Sequence, residues 1–206
     1  MTQANDALNR LREGNRRFLS NVSRDTDIAN QARRHELPQD QNPFAIILGC
    51  SDARVPAEIV FDQGLGDLFV IRVAGNIVAP SQIGSVEFAA ERFGTRLVVV
   101  LGHSKCGAVQ ATIEELRRPT ESHSKNLRSI VDRVRPAIEP LFETAHPDED
   151  PTLFEHRAIR ANIRAAANQL RHGSQILERL IDYEDLLVAG AEYSIDTGAV
   201  EFFEGV

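Results

Sequence analysis

The sequence predicts an α/β domain, in which a mainly parallel β-sheet is flanked by helices and preceded by an N-terminal helical arm. Short runs of consecutive apolar residues recur along the chain, as in strands that are buried on both faces of a parallel sheet. Stretches with helical spacing of apolar residues separate these runs, and such alternation is typical of α/β domains. We therefore expect one domain over residues 1–206, with the arm at 1–40 and the α/β core at 41–206.

The predicted elements follow the chain in order. Leu8, Leu11 and Phe18 lie on one side of an amphipathic helix over about residues 4–19, which can cover the core or reach a partner subunit. Polar, irregular sequence follows up to residue 43. Strands are predicted at 44–49, 68–71, 97–102 and 186–191, with a short edge strand at 199–203. Helical patterns predict a crossover helix over 81–94 and mostly helical structure over 107–182, interrupted by an exposed acidic loop at 146–151.

Composition excludes several functional classes. Asp and Glu number 30 against 23 Lys and Arg, so the net charge of −7 argues against nucleic acid or an anionic membrane as a partner. No apolar run approaches the roughly 18 to 20 residues of a membrane span, and the N-terminus lacks the apolar region of a secretory signal. Two cysteines are too few for a disulfide scaffold, which predicts a cytoplasmic protein.

The cysteines and one histidine follow two of the predicted strands. Cys50 comes directly after the first strand, and His103 and Cys106 come directly after the third. Open α/β folds build their sites where parallel strands end, so these side chains converge if the two strands are neighbours. Two thiolates and one imidazole suit zinc, and three protein ligands leave a fourth position open, as in catalytic sites. The helix predicted after Cys106 favours a thiolate there through its dipole.

A carboxylate and a guanidinium stand beside the first cysteine. Cys50, Asp52 and Arg54 are spaced two residues apart, so an extended segment points all three to one side. Arg54 is expected to hold Asp52 ionised and oriented through charge-assisted hydrogen bonds.

Other interpretations of these residues remain open at this stage. Free cysteines are often simply buried apolar residues, and a histidine after a strand often has a structural role. A structural zinc site usually needs four protein ligands, and redox chemistry favours a C-x-x-C motif that is missing here. The glycine-rich segment 63–67 lacks the third glycine of a nucleotide-binding loop, and the acidic triplet 148–150 is typical of a solvated loop.

Three segments together resemble the β-class carbonic anhydrases. They are CSDARVP at 50–56, DLFVIRVAGN at 67–76 and GHSKCGA at 102–108, and the close similarity covers about residues 41–111. The resemblance implies an α/β fold, assembly as a homodimer or a dimer of dimers, and a Zn²⁺ ion held by Cys50, His103 and Cys106. It also implies that Asp52 and Arg54 form a catalytic dyad and that zinc-bound hydroxide attacks carbon dioxide, giving bicarbonate and a proton.

Further positions indicate the subtype and the substrate pocket. Some members of the family carry an inhibitory bicarbonate pocket built partly on a Trp three residues before the first zinc ligand. This chain has Ile47 there and no Trp, so the pocket is expected to be absent. Gln41 matches a residue that in other members reaches the active site of the partner subunit. The remaining residues expected at the substrate pocket are Val55, Phe69, Phe88 and Gly107.

The resemblance leaves two questions of chemistry open. Asp52 is also a possible fourth metal ligand, in place of water, as in some members at lower pH. Hydrolysis of a carbon dioxide analogue, carbonyl sulfide or carbon disulfide, uses the same zinc ligands and is the alternative function. The candidates for proton transfer to solvent are His35, His123, His146, His156 and His172.

Overall fold

The computed structural model describes residues 2–22, 41–119, 124–146 and 148–206. Its helices are α1 (Gln3–Leu19), α2 (Ala57–Val60), α3 (Pro80–Arg92), α4 (Gly107–Arg117), α5 (Lys125–Thr144), α6 (Pro151–His172) and α7 (Gln175–Tyr183), with a single 3₁₀ turn at Ala74–Asn76. Its strands are β1 (Ala45–Gly49), β2 (Leu68–Arg72), β3 (Leu97–His103), β4 (Leu187–Tyr193) and β5 (Val200–Glu204). Within the described ranges, no helix is both long and apolar enough to cross a lipid bilayer.

The five strands form one sheet in the order β2-β1-β3-β4-β5. The first four strands in this order run parallel, and β5 pairs antiparallel with β4 at the edge. Every residue of β1 and β3 is buried, which explains why these strands appear in the sequence as unbroken apolar runs. The predicted α/β fold with a mainly parallel sheet is therefore confirmed.

Helices cover both faces of the sheet. On one face α3, α4, α5, α6 and α7 pack against residues such as Ile46, Val98 and Val100. On the other face α1 and α2 pack against Ile47, Val99 and Leu101. Because the fully buried Leu11 of α1 joins this second core, the predicted N-terminal helix covers the sheet of its own chain.

Short polar caps define where several helices begin. The side chains of Thr2, Ser124, Asp150 and Ser174 each accept a hydrogen bond from a backbone N–H in the first turn of the following helix. The last three of these caps divide the predicted helical region 107–182 into four separate helices. The sequence prediction omitted α2 and the 3₁₀ turn, because four or three residues are too few to show helical periodicity.

Candidate metal centre and its surroundings

The cysteine and histidine side chains meet at the carboxyl ends of the two central strands. β1 and β3 are direct neighbours, with Gly49 opposite Leu101. Cys50 follows β1, His103 is the last residue of β3, and Cys106 directly precedes the first residue of α4. The sulfurs of Cys50 and Cys106 and one ring nitrogen of His103 all lie within 4.8 Å of one another. The predicted convergence of these side chains is thus observed.

All three side chains are buried, and the two thiols interact directly. A hydrogen bond from the Cys106 thiol lowers the pKa of Cys50 to about 4, although burial acts in the opposite direction. The same hydrogen bond, together with burial, raises the pKa of Cys106. The pair therefore holds one thiolate beside one thiol, and a bound divalent cation would displace the remaining proton.

The orientation of His103 fits a metal ligand. Its Nδ1 lies 2.9 Å from the carbonyl oxygen of Ser104, so Nδ1–H donates there, and in the neutral imidazole that a metal ion binds the lone pair is on Nε2. Among the described residues, this buried Nε2 has no hydrogen-bond partner. A fully buried ring nitrogen next to two sulfurs, with its other nitrogen held by a carbonyl, is the arrangement that a metal ion satisfies. Two sulfurs and one nitrogen form a donor set that fits zinc.

Asp52 and Arg54 form a bidentate ion pair at the edge of this cluster. Asp52 Oδ1 accepts hydrogen bonds from Arg54 N and Nε, both at 2.9 Å, and Oδ2 accepts one from Nη2 at 2.7 Å. The Arg54 hydrogen bonds hold the pKa of Asp52 well below its usual range. Asp52 Oδ2 lies 3.9 Å from His103 Nε2. The carboxylate is therefore ionised and adjacent to the cluster, and both of its oxygens accept hydrogen bonds from Arg54.

Two further groups support Cys50, and neither was predicted from the sequence. Arg72, the last residue of β2, donates from Nε to the carbonyl of Cys50 at 3.0 Å and from Nη2 to that of Asp52 at 2.6 Å. The N–H of Gly75 donates to Cys50 Sγ at 3.3 Å. Both residues lie in the segment 67–76 that resembles the family, but spacing alone did not indicate which atoms they contact.

The residues predicted to line a substrate pocket occupy different surroundings. Gln41 is exposed, and Val55 is packed among the apolar residues beneath α1 and α2. Phe69 of β2 and Phe88 of α3 form an aromatic cluster with Phe93, which directly follows α3. Phe69 pairs with Ile46, four residues before Cys50, which is about 13 Å along the strand. Within one chain, the aromatic cluster and the Cys50 cluster are therefore separate.

Gly107 borders open space. It is the first residue of α4, and a Cβ built on it would meet no atom within 4 Å. Gly107 is therefore exposed directly after the buried Cys106.

The predicted proton-transfer histidines are dispersed. His35 and His123 lie outside the described residues. His156 Nε2 lies 3.0 Å from Glu192 Oε2, while His146 and His172 are exposed. Of these candidates, the three that the structure describes all lie outside the Cys50–His103–Cys106 cluster.

Comparisons with known proteins agree with this geometry. The family model described as carbonic anhydrase matches residues 45–200. The chain is 36% identical over 201 residues to a carbonic anhydrase of Mycolicibacterium smegmatis, covering 93% of this chain and 89% of that protein. It is also 36% identical over 192 residues to carbonic anhydrase 2 of Mycobacterium tuberculosis, covering 91% and 87%. A tetrameric β-carbonic anhydrase of Sordaria macrospora shares the fold, with a TM-score of 0.72, 21% identity and coverage of 84% and 89%.

Proposed function

Because the chain belongs to the carbonic anhydrase family and has the fold of its β class, we propose that it catalyses the reversible hydration of carbon dioxide. Carbon dioxide and water are converted into bicarbonate and a proton. The observation that carries the proposal is the buried Cys50–His103–Cys106 cluster with the Asp52–Arg54 pair at its edge.

In the proposed site, Cys50, His103 and Cys106 hold zinc. When bound, zinc supplies a Lewis acid that makes water nucleophilic near neutral pH. Two thiolates balance the charge of a divalent cation, whereas three neutral imidazoles do not. We therefore expect carbon dioxide hydration to increase towards alkaline pH, above the range typical of a three-histidine site.

Asp52 is proposed to orient the attacking water. An ionised carboxylate only accepts hydrogen bonds, so Asp52 would accept a hydrogen bond from the O–H of the nucleophile and leave an oxygen lone pair of the nucleophile free to face carbon dioxide. Arg54 keeps the carboxylate ionised and fixes its direction through both oxygens. These contacts favour Asp52 as an orienting acceptor over Asp52 as a fourth metal ligand.

Assembly is proposed to complete the substrate pocket. The tetrameric Sordaria macrospora enzyme has the same fold, and we propose a homodimer or a dimer of dimers for this chain. In that assembly, the exposed Gln41 donates to a substrate oxygen in the neighbouring active site as negative charge develops. Phe69 and Phe88 supply apolar surface for carbon dioxide in that neighbouring site, whereas Val55 packs on the opposite face of its own sheet. We propose a cytoplasmic location.

Stopped-flow carbon dioxide hydration between pH 7 and 9, with zinc quantified in the same sample, tests the function. We expect one zinc per chain and a rate that increases with pH. Absence of zinc would refute the metal centre, and zinc without hydration would favour a hydrolase of carbonyl sulfide or carbon disulfide.

A separate substitution tests the role of Asp52. Asp52→Ala is expected to keep its zinc and lose about 100-fold in turnover, because the nucleophile is no longer oriented. Asp182→Ala, which changes an exposed aspartate on α7, is the matched control and keeps the wild-type rate. Normal turnover in Asp52→Ala would contradict the assigned role.

A further inference from the structure

We propose that Asn162 of α6 is a positioning residue of the metal centre. Its side-chain amide holds the turn at Gly75 so that the Gly75 N–H donates a hydrogen bond to the Cys50 sulfur. This inference rests on the proposed function, because it assigns a task to residues behind the Cys50–His103–Cys106 metal site.

Two consecutive hydrogen bonds link Asn162 to Cys50. Asn162 Nδ2 lies 2.8 Å from the carbonyl oxygen of Gly75, and Gly75 N lies 3.3 Å from Cys50 Sγ. A carbonyl oxygen only accepts, so the Asn162 atom that faces it must be the donating nitrogen. Asn162 is only 3% exposed, so this donor has no access to bulk solvent as an alternative partner.

The turn needs support because its backbone is unusual. Gly75 has φ of 70° and Asn76 has φ of 43°, so two successive residues adopt the left-handed region. A Cβ at Gly75 would lie 3.0 Å from Ala108 Cβ and 3.4 Å from a methyl of Val134, so glycine is also required for space. Since Asn162 binds the carbonyl and Cys50 accepts from the N–H, the two hydrogen bonds hold the residue from opposite ends.

The consequence for the site is electronic as well as geometric. A hydrogen bond to a metal-bound thiolate withdraws charge from sulfur and tunes its strength as a ligand. Asn162 sets this property of Cys50 without touching the metal ligands. Its contact is with a residue 87 positions earlier in the chain, so it depends on the packing of α6 beneath the 3₁₀ turn.

The test uses the cobalt-substituted protein. Asn162→Leu keeps the branching of the side chain at Cγ and removes its donor, and Ile159→Val on the same helix is the control for a buried packing change. We expect the sulfur-to-cobalt charge-transfer band to shift to lower energy in Asn162→Leu, because a thiolate that loses the Gly75 hydrogen bond holds its electrons less tightly. Zinc affinity, measured by chelator competition, is expected to fall about 10-fold. Ile159→Val is expected to leave both properties unchanged.

The outcomes separate this inference from the proposed function. Asn162→Leu spectra identical to wild type, or an equal shift in Ile159→Val, would overturn the positioning role. A wild-type protein that binds no cobalt overturns both proposals, whereas one that binds cobalt but hydrates no carbon dioxide overturns the function alone. If Asn162→Leu does not fold, cadmium-113 NMR of the wild-type protein decides. A coupling between the metal and the Gly75 amide proton is expected, and its absence would overturn the inference.

Discussion

Replacement of Gly102 by alanine tests how tightly α6 packs against the strand that carries His103. A Cβ built at Gly102 would lie 2.5 Å from Ile163 Cδ1 and 2.6 Å from Ile163 Cγ1. Ordinary carbon contacts are about 3.5–4.0 Å, so the overlap is about 1 Å. Ile163 has no exposed surface and cannot turn out to solvent. Gly102→Ala is therefore expected to cost about 1–3 kcal/mol of unfolding free energy through overpacking.

A double-mutant cycle assigns this cost to one contact. Ile163→Ala alone is expected to cost about 2–5 kcal/mol, because it leaves a cavity. In the double variant the methyl group added at position 102 enters that cavity, so the two costs do not add. We expect the double variant to be at least as stable as Ile163→Ala alone.

Thermal unfolding at one fixed protein concentration measures the effect. For a chain of 206 residues, about 2 kcal/mol corresponds to a decrease in Tm of roughly 4–8 °C. Gly84→Ala on α3 is the control, since a Cβ there meets nothing within 4 Å, and it should stabilise the helix by about 0.5–1 kcal/mol. Additive losses in the double variant, or an unchanged Tm in Gly102→Ala, would refute the packing argument.

Three further outcomes are expected. Cys50→Ser should bind zinc far more weakly, as measured by metal content after dialysis, because a hydroxyl replaces a thiolate ligand. The Asp52–Arg54 pair stabilises the folded state fully at pH values above the ordinary aspartate pKa of about 3.9. This stabilisation is lost as the pH falls from there towards the lowered pKa of Asp52 in the folded state. The unfolding free energy of Arg54→Leu should therefore depend less on pH between about 5 and 3 than that of wild type, and equal slopes would contradict the assigned ion pair. Asn15→Ala should cost about 3 kcal/mol in thermal unfolding, because the Asn15 side chain makes hydrogen bonds to Val60, Gly198 and Val200. Asn9→Ala, at an exposed position of the same helix, is its control and should leave Tm unchanged.

Local sequence patterns predicted most of the secondary structure. The apolar runs at β1 and β3 are visible because both faces of these strands are buried, and their observed bounds differ from the predicted ones by one residue at one end. The strand predicted at 186–191 begins one residue before β4 and ends two residues before it. The end was missed because Glu192 and Tyr193 are polar, although the structure buries both side chains. Periodicity carries no signal for the four residues of α2, which the prediction omitted.

The sequence predicted those residues of the candidate site that lie at or just after the end of a strand. Cys50, His103 and Cys106 were identifiable because parallel strands bring their carboxyl ends to one edge, and the resemblance at 50–56 and 102–108 pointed to the same residues. The aromatic residues Phe69 and Phe88 were expected near the metal, but the single chain places them on the outer strand and α3. Their proposed contact with substrate depends on a second subunit.

The sequence by itself determined the strands, the longer helical regions and the three side chains that meet at the candidate metal centre. These features depend on the pattern of apolar and polar residues and on where each strand ends. Both are encoded by residues that are close together in the chain. Only the tertiary structure decided that β1 lies next to β3, that Arg72 holds the carbonyls of Cys50 and Asp52, and that Asn162 reaches Gly75. The physical reason is that a buried hydrogen bond between distant segments depends on how helices pack on the sheet, and no local pattern encodes that distance.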